Sequence, residues 1–574
     1  MDVQANDKNY ARSRLRSAFP IAEWLPHYTV SWLRPDFVAG LTLAAYAIPV
    51  SLAYASLAGV PPQAGLYCYL VGGIAYAVFG TSRQVAIGPT SAISILIGSA
   101  LGVMSLGDLG RQSELAMAVA VLTGLIGIIA WFFHLGNIAN FVSETVLSGF
   151  KVGAGLVIAS TQLPKLFGIA TGGNNFFTRL LDIFRHLGET NLPTLAVGLG
   201  ALLLLILGDR FLPGRPVSLF VVVAAILMMS FFPLAERGVK TVGVIPAGLP
   251  KLSWPLVHWN ELDDLLGLAL ACFLLSYVES ISVVRTFALK HRYAINVDQE
   301  LLALGAANLV AGVGQGFPVA GGMSQSAVNE KAGARTPLAL VFASVSICAV
   351  LLFLTGLMRN LPQPVLAAVV LFAVGGLVRP REIRLLYRTD RMEFRIALVA
   401  MLGVLLFGIL KGVLLAAIFS ILLLLKHASH PRIAELKRLP NTGRFVDCSR
   451  YPEAYAVPQV LVLRVESGVF YFNAQNVRSY ITSQIANRVE IKLVVVDLST
   501  SANVDLAGAR MLLELEEYLR HAGISLKLAE THGDVRDVLH AQGLEERIEG
   551  VEQRSDVEAL IESWRVSTVS RLKP

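Results

Sequence analysis

Charge is what this sequence has least of. Only 16 % of its 574 residues are Asp, Glu, Lys or Arg, while 54 % are hydrophobic. An ordinary soluble domain carries about 25 % charged residues, so a wholly soluble protein is excluded. Cysteine is also sparse. Cys68, Cys272, Cys348 and Cys448 match no zinc or redox spacing, which excludes a disulfide scaffold and leaves free thiols. The opening stretch MDVQANDKNYARSRLRSAFP has no apolar centre and is not expected to be a cleaved signal peptide. No stripe of aromatic and basic residues points to nucleic acid. No paired-histidine metal motif or Ser/His/Asp set is evident, so an enzyme is not expected. GVGQG (Gly312–Gly316) lacks the strand-before, helix-after setting of a phosphate loop.

What is present is apolar sequence in long runs, from about Asp36 to about Leu425. A spanning helix requires ~20 mostly apolar residues, and LPTLAVGLGALLLLILG and LVFASVSICAVLLFLTGLM have that texture. Fourteen candidate spans follow one another, from one beginning near Phe37 to one beginning near Gly412. After His427 the texture changes to mixed charge and apolar alternation. The chain therefore divides into an N-terminal segment (1–36), a polytopic membrane domain (37–428), a linker (429–440) and a soluble domain (441–574) with residues enough for one core. Basic residues beside spans mark the cytoplasmic side. Arg12–Arg16 and Lys426–Arg438 place both termini in the cytoplasm of a multi-pass protein of the cell membrane, expected to be a bacterial inner membrane.

Two of the spans are short. One is GPTSAISILIGSALG, from Gly88. The other starts near Gly321, inside GQGFPVAGGMSQSAVNEKAGARTP. Both follow a proline, both are rich in small residues, and each is third in a set of seven. Pro49 stands 40 residues before Pro89, and Glu279 stands 39 residues before Pro318. Paired, interrupted spans in corresponding halves point to a transporter binding site. A helix that begins in mid-membrane exposes unpaired N–H groups, and it survives only where it lines a cavity or is buried in protein. Its dipole amounts to roughly half a positive charge. Two such ends facing each other form an anion site without a fixed cation. The hydroxyls of Thr90, Ser91, Ser324 and Ser326 add donors. Close helix packing by small residues is the competing explanation of the same composition.

Ionisable residues in hydrocarbon are functional candidates by default. Glu279 falls mid-span in LLSYVESISVV, where it would bind a proton or help to hold a sodium ion, or else serve as a hydrogen-bonded structural acid. Lys151 lies near the middle of VSETVLSGFKVGAGLVIAS, where it would supply positive charge to the site, pair with Glu279 or Glu144, or snorkel to an interface. Glu279, Ser282 and Lys151 are the candidate ion-coupling residues.

The chain resembles the SulP sulfate-permease family, bacterial relatives of the solute carrier 26 anion transporters. The residues that carry this are PDFVAGLTLAAYAIPVSLAYASLAGVPPQAGLY (Pro35–Tyr67), GTSRQVAIGP (Gly80–Pro89), VLSGF (Val146–Phe150), ESISVVRTFA (Glu279–Ala288), QELLALGAANLVAG (Gln299–Gly312) and GARTPLA (Gly333–Ala339). The resemblance implies a polytopic α-helical membrane protein, a 7+7 inverted-repeat transporter of 14 spans with two half-helices. It further implies a core domain moving as an elevator against a gate domain, and a homodimer. It places substrate against Tyr54, Pro89, Thr90 and Ser91, and against Gly321, Gly322, Met323, Ser324, Gln325 and Ser326. Many relatives read Ser-Arg-Ser where this chain reads Ser324-Gln325-Ser326, so the fixed cation is absent.

In the soluble domain, Val460–Ala474, Lys492–Thr500 and Ser525–Glu530 read as strands, and Asp505–Gly523 as an amphipathic helix. Strands alternating with helices predict an α/β layer. The segment resembles the cytoplasmic STAS domain, through Asp497–Ser499, Asp505 and Gly508. Soluble antagonists of that fold phosphorylate a Ser before the Gly, and here the residue is Ala507. The expectation is a secondary active transporter of a small inorganic anion, first sulfate, coupled to H+ or Na+, with no other cofactor. The alternatives are a sodium-dependent bicarbonate symporter, a dicarboxylate transporter, and an anion channel or exchanger.

Overall fold

The computed structural model describes residues 19–571, apart from 106–107, 138–143, 171–174, 213–215, 376–379, 441, 487, 545–546, 549–550 and 552–554. The chain forms two compact units, Met1–Ser420 and Ile421–Pro574.

The first unit is helical. Its elements are α1 (Val30–Ala58), α2 (Pro62–Phe79), β1 (Ile87–Gly88), α3 (Ser91–Met104), α4 (Leu109–Phe132), α5 (Glu144–Phe167), α6 (Phe176–Arg185), α7 (Leu192–Phe211) and α8 (Val217–Phe231). They continue with α9 (Leu262–His291), α10 (Val297–Val313), β2 (Ala320–Gly321), α11 (Met323–Lys331), α12 (Leu338–Phe353), α13 (Gln363–Gly375), α14 (Pro380–Thr389) and α15 (Arg391–Phe407). The helix α16 (Ile409–Ser429) runs on into the second unit. Among the described residues, α1, α4, α7 and the stretch Trp259–His291 are long and apolar enough to cross a membrane by length and composition. The first helix begins at Val30 rather than near Phe37, because Pro35 sits within its opening turns.

The helices sort by contact into two groups. One holds α1 to α4 and α9 to α12, with α10 against α4 and α2, and α12 against α1 and α2. The other holds α5, α7, α8, α13 and α15, with α15 and α13 against α5, and α13 against α7. Small residues set the close crossings in the first group. A Cβ on Gly124 of α4 would sit 2.5 Å from the Leu309 nitrogen and 2.7 Å from the Gly305 oxygen of α10. In a bilayer, association rests on such backbone approach rather than on the hydrophobic effect. Asp36, fully buried on α1, accepts from the Arg335 and Thr336 N–H groups (2.7 and 3.1 Å) and from the Thr336 hydroxyl (2.7 Å). One carboxylate thereby ties the first helix to the GARTP turn that follows α11.

The second unit is built on a sheet of five strands in the order β4-β3-β5-β6-β7, where β3 is Ile433–Arg438, β4 Phe445–Asp447, β5 Val460–Val465, β6 Leu493–Asp497 and β7 Ser525–Ala529. β5, β6 and β7 run parallel, and β3 is antiparallel to both β4 and β5. Residues 433–438, read from sequence as linker, are therefore a sheet strand. Its outward Glu, Lys and Arg gave it the look of a solvated connection, while Ala434 and Leu436 face inward. All five residues of β6 are buried, because both faces of the sheet are covered. Val494 and Val496 pack under α17 (Ala474–Ala486) and α18 (Leu506–His521), whereas Leu493 and Val495 pack under α20 (Val557–Arg571), which follows α19 (Gly533–Ala541). The two-residue side-chain period of a strand produces that division. At the start of α18, Asp505 accepts from the Gly508 N–H (2.8 Å) and the Tyr471 N–H (2.8 Å), so the Asp-x-x-Gly pattern is a helix cap here. All four cysteines are free thiols.

Arg488 forks onto Glu435 with contacts of 2.9 and 2.8 Å, and this guanidinium holds the Glu435 carboxyl below the usual carboxylate range. A depressed carboxyl stabilises the fold at pH above its unfolded value, about 4.3, and loses that contribution as pH falls through its folded value. Calorimetry of the full chain is expected to show the transition of the second unit moving to lower temperature on acidification below about pH 4.3. Glu435→Gln should make that decline shallower, and an identical decline would remove Glu435 as its source.

Candidate functional site

Two strand residues precede each of the short helices, and these two strands pair. β1 and β2 are antiparallel, with Ile87 opposite Gly321 and Gly88 opposite Ala320. The pairing requires glycine: a Cβ on Gly321 would meet Val85 at 3.0 Å, and one on Gly88 would run into the Tyr69 ring. Because the strands are joined at these positions, α3 and α11 begin beside each other. The N-cap of α3 is Thr90 and that of α11 is Gly322. Both are extended, and neither places a side chain on the first-turn N–H groups. A helix start without a cap leaves its first donors available to another partner, and the dipole makes that partner an anion.

The residues expected at the site divide into those that face it and those that build it. Ser324 is exposed on the first turn of α11, Met323 beside it is half-buried, and the Ser324 hydroxyl lies near that of Tyr46 on α1. Tyr54, two turns further along α1, is buried with its hydroxyl near Ser91. Pro89 is buried immediately before the N-cap. The Thr90 hydroxyl donates to Glu279 Oε2 (3.2 Å). Lys151 on α5 is half-buried and lies within electrostatic reach of Glu279, the acid of α9 that accepts from Thr90 at the start of α3. The side chain of Glu144, the other partner considered for Lys151, lies outside the described residues.

Gln325 and Ser326 point the other way. Gln325 is buried, accepts from the Tyr69 hydroxyl, and donates from Nε2 to the Ala86 and Ala320 carbonyls (2.9 and 3.1 Å). Ser326 is fully buried and its Oγ accepts from the Ala86 N–H (2.9 Å). Both side chains fasten α11 to β1. Gly321 donates its N–H to Ser280 Oγ (2.8 Å), and Ser280 in turn donates to the Ser276 carbonyl (2.6 Å). Ser280 is thus the α9 hydroxyl that touches the strand pair. Ser282, the serine named from sequence, is half-buried, and its carbonyl accepts from the Thr286 hydroxyl. Tyr46, Tyr69 and Ser280 were missed. Tyr46 left a signal, being a second tyrosine two turns before Tyr54 on the same helix.

Comparison with known proteins agrees with this geometry. Residues 33–400 match the model of the sulfate permease family and residues 451–559 that of the STAS domain. The chain belongs to the sulfate permease family. Its members are transporters rather than enzymes. It is 33 % identical over 534 residues to a probable sulfate transporter of Mycobacterium tuberculosis, which covers 92 % of this chain and 95 % of that one. It is 31 % identical over 563 residues to high affinity sulfate transporter 1 of Stylosanthes hamata, covering 93 % and 84 %. The fold superposes on the structure of SLC26A9 with a TM-score of 0.89, 22 % identity and coverage of 99 % and 96 %. The transmembrane domain of the cyanobacterial bicarbonate transporter BicA matches with a TM-score of 0.60 and 22 % identity, over 69 % of this chain and 98 % of that one. The chain is thus a multi-pass helical membrane transporter of this family with an α/β C-terminal domain.

The placement of Gln325 generates a prediction. Gln325→Leu leaves the Tyr69 hydroxyl and two carbonyls without their partner, each worth about 1–3 kcal/mol when buried. The thermal stability of the purified protein should drop, with the KM for the transported anion changed by no more than about twofold. Unchanged stability with a large rise in KM would mean that Gln325 touches the anion.

Proposed function

We propose that the chain is a secondary active transporter of sulfate, coupled to an inward gradient of H+ or Na+. The observation that carries the reading is the pair of uncapped helix starts, Thr90–Ser91 and Gly322–Met323, brought together by β1 and β2. Charge arithmetic favours a doubly charged anion with a coupling cation. Two helix ends contribute about half a positive charge each, so together they equal roughly one, and Lys151 adds another. Glu279 subtracts one. If a proton neutralises Glu279, or a sodium ion sits beside it, the site regains the balance that a sulfate dianion needs. If Glu279 is left charged, the site is short by one.

Roles follow from placement. The first-turn amides of α3 and α11 and the Ser324 hydroxyl bind the oxyanion. Tyr46 stands beside Ser324 and Tyr54 beside Ser91. Thr90 links the α3 start to Glu279, so cation and anion are felt by one another. The two groups of helices suit an elevator motion, in which α1 to α4 with α9 to α12 carry the site past the group containing α5, α7, α8, α13 and α15. We assign both termini to the cytoplasm of a bacterial inner membrane and the working unit to a homodimer. The sulfate names carried by relatives more than 30 % identical support the choice of anion. Sodium-dependent bicarbonate symport, dicarboxylate transport and uncoupled anion conduction are the other outcomes of the assay.

Uptake of labelled sulfate, bicarbonate and fumarate into proteoliposomes, each under separate H+ and Na+ gradients, tests the reading. Sulfate uptake driven by one of the cations is expected, and its absence together with uptake of another anion would replace sulfate. Lys151→Met should abolish uptake while the protein remains folded. Normal uptake by that variant would remove Lys151 from the charge count. Glu279→Gln should retain sulfate uptake without stimulation by the cation gradient. Ser324→Ala should raise KM about three- to tenfold, the scale of one hydrogen bond.

A further inference from the structure

A second cavity of cationic lining lies along the same helices, away from the half-helix starts. It has a volume of about 330 Å³ and is lined by Ser56 of α1, Gly98 and Ser99 of α3, Lys165 of α5, Arg179 of α6, and the end of α15. Its wall on α3 runs from Ile95 to Ser99, four to eight residues past Ser91, a rise of about 6–12 Å, so it is displaced from the half-helix start toward the far end of α3. Its walls come from both groups of helices. A cavity of this size holds about ten waters at ~30 Å³ each, room for a small anion with part of its hydration shell.

The polar groups in it are arranged for a negative ligand. Lys165 is half-buried and donates from Nζ to Ser56 Oγ (3.0 Å), a bond between α5 and α1. Ser56 is exposed, in contrast to Ser51–Ala55 before it and Leu57–Ala58 after it, all of which are buried. Arg179 is half-buried and donates from Nη1 to Ser160 Oγ (3.1 Å). The Lys165 contact is with a hydroxyl, which accepts its hydrogen bond, and among the described residues no carboxylate pairs with its charge. A charge taken partly out of water without a counter-charge is unfavourable, and an anion in the chamber relieves it. The two lysines of α5 are also in line. Lys165 follows Lys151 by 14 residues, which is about 21 Å and within ~40° of a whole number of turns. Lys151 and Lys165 therefore lie near one face of α5, the first within electrostatic reach of Glu279 and the second in the cavity wall.

We propose that this chamber is a docking site for a small oxyanion, where Lys165 and Arg179 receive the anion before or after it occupies the half-helix site. In this state the Ser56 hydroxyl holds the place of the anion on Lys165, and docking exchanges one for the other. The chamber lies toward the end of α1 opposite Val30, which on the proposed topology is the outer mouth. The inference rests on the reading of the chain as an anion carrier, and its test separates the two.

Equilibrium binding of radiolabelled sulfate to the full-length protein in lipid nanodiscs, at low ionic strength, is the experiment. The wild type should bind in two classes. Lys165→Met should weaken the outer class about tenfold and leave the inner class, while Lys165→Arg should keep both. Thr90→Val with Ser324→Ala should do the reverse, weakening the inner class about tenfold and leaving the outer class unchanged. A Lys165→Met isotherm that coincides with the wild type overturns the docking site and leaves the proposed transport reading in place. Two intact classes in the Thr90→Val, Ser324→Ala variant, one of them still dependent on Lys165, would support the docking site and sink the inner reading. If Lys165→Met is not recovered folded, Arg179→Gln carries the same expectation and the same contrary result.

Discussion

Two residues of backbone from each half of the transport unit, Ile87–Gly88 against Ala320–Gly321, meet as an antiparallel pair deep within a helical bundle. Extended backbone at that depth is tolerated only if its polar groups are satisfied within the protein. The pair does this partly by itself and partly through a ring of side chains. Ser326 receives the Ala86 N–H, Gln325 bonds the Ala86 and Ala320 carbonyls, and Ser280 receives the Gly321 N–H. With those groups occupied, the first-turn amides of α3 and α11 have no side-chain cap. They lie side by side because the strands that lead into them are joined. On our reading the anion preference of the site is therefore a property of backbone geometry, and the side chains around it are chiefly there to hold that geometry.

The absence of the arginine common in relatives becomes intelligible in the same terms. At position 325 the chain has a neutral amide whose donor and acceptor are both used to hold the strand pair, with the Tyr69 hydroxyl as one partner. On our reading positive charge comes instead from Lys151, on a helix of the other group, which lies within electrostatic reach of Glu279. A fixed cation within the moving half would travel with the anion at all times. A cation on the neighbouring group acts on the anion only in the states that bring the two together. On our reading this makes the energetics of the site depend on conformation, which a coupled carrier requires.

Much of this was legible in the sequence. The two half-helices announced themselves through glycine, proline and serine in runs too short to span, and Glu279 through being a carboxylate among Leu, Tyr, Val and Ile. The orientation of individual side chains was not legible. On a nine-residue helix, Ser324 and Gln325 are neighbours in sequence and 100° apart in space, and which of them faces the anion depends on how Tyr69 and β1 fix the rotation of α11. Ser280 and Ser282 present the same difficulty on α9. Tyr46 reaches the site only because α1 passes both half-helix starts, a tertiary fact that no local pattern carries. In the C-terminal unit the buried runs of β5 and β6 were plain. The edge-side strand β3 was hidden by its alternation of charged and small apolar residues.

The central claim is that helix-end amides hold the anion. A structure of the full-length protein with selenate, read by anomalous scattering at the selenium edge, tests it most directly. The account places the selenium between the starts of α3 and α11, with its oxygens within hydrogen-bond distance of first-turn amides from both helices. A selenium peak bound to the Lys151 ammonium alone, out of reach of either set of amides, would contradict it.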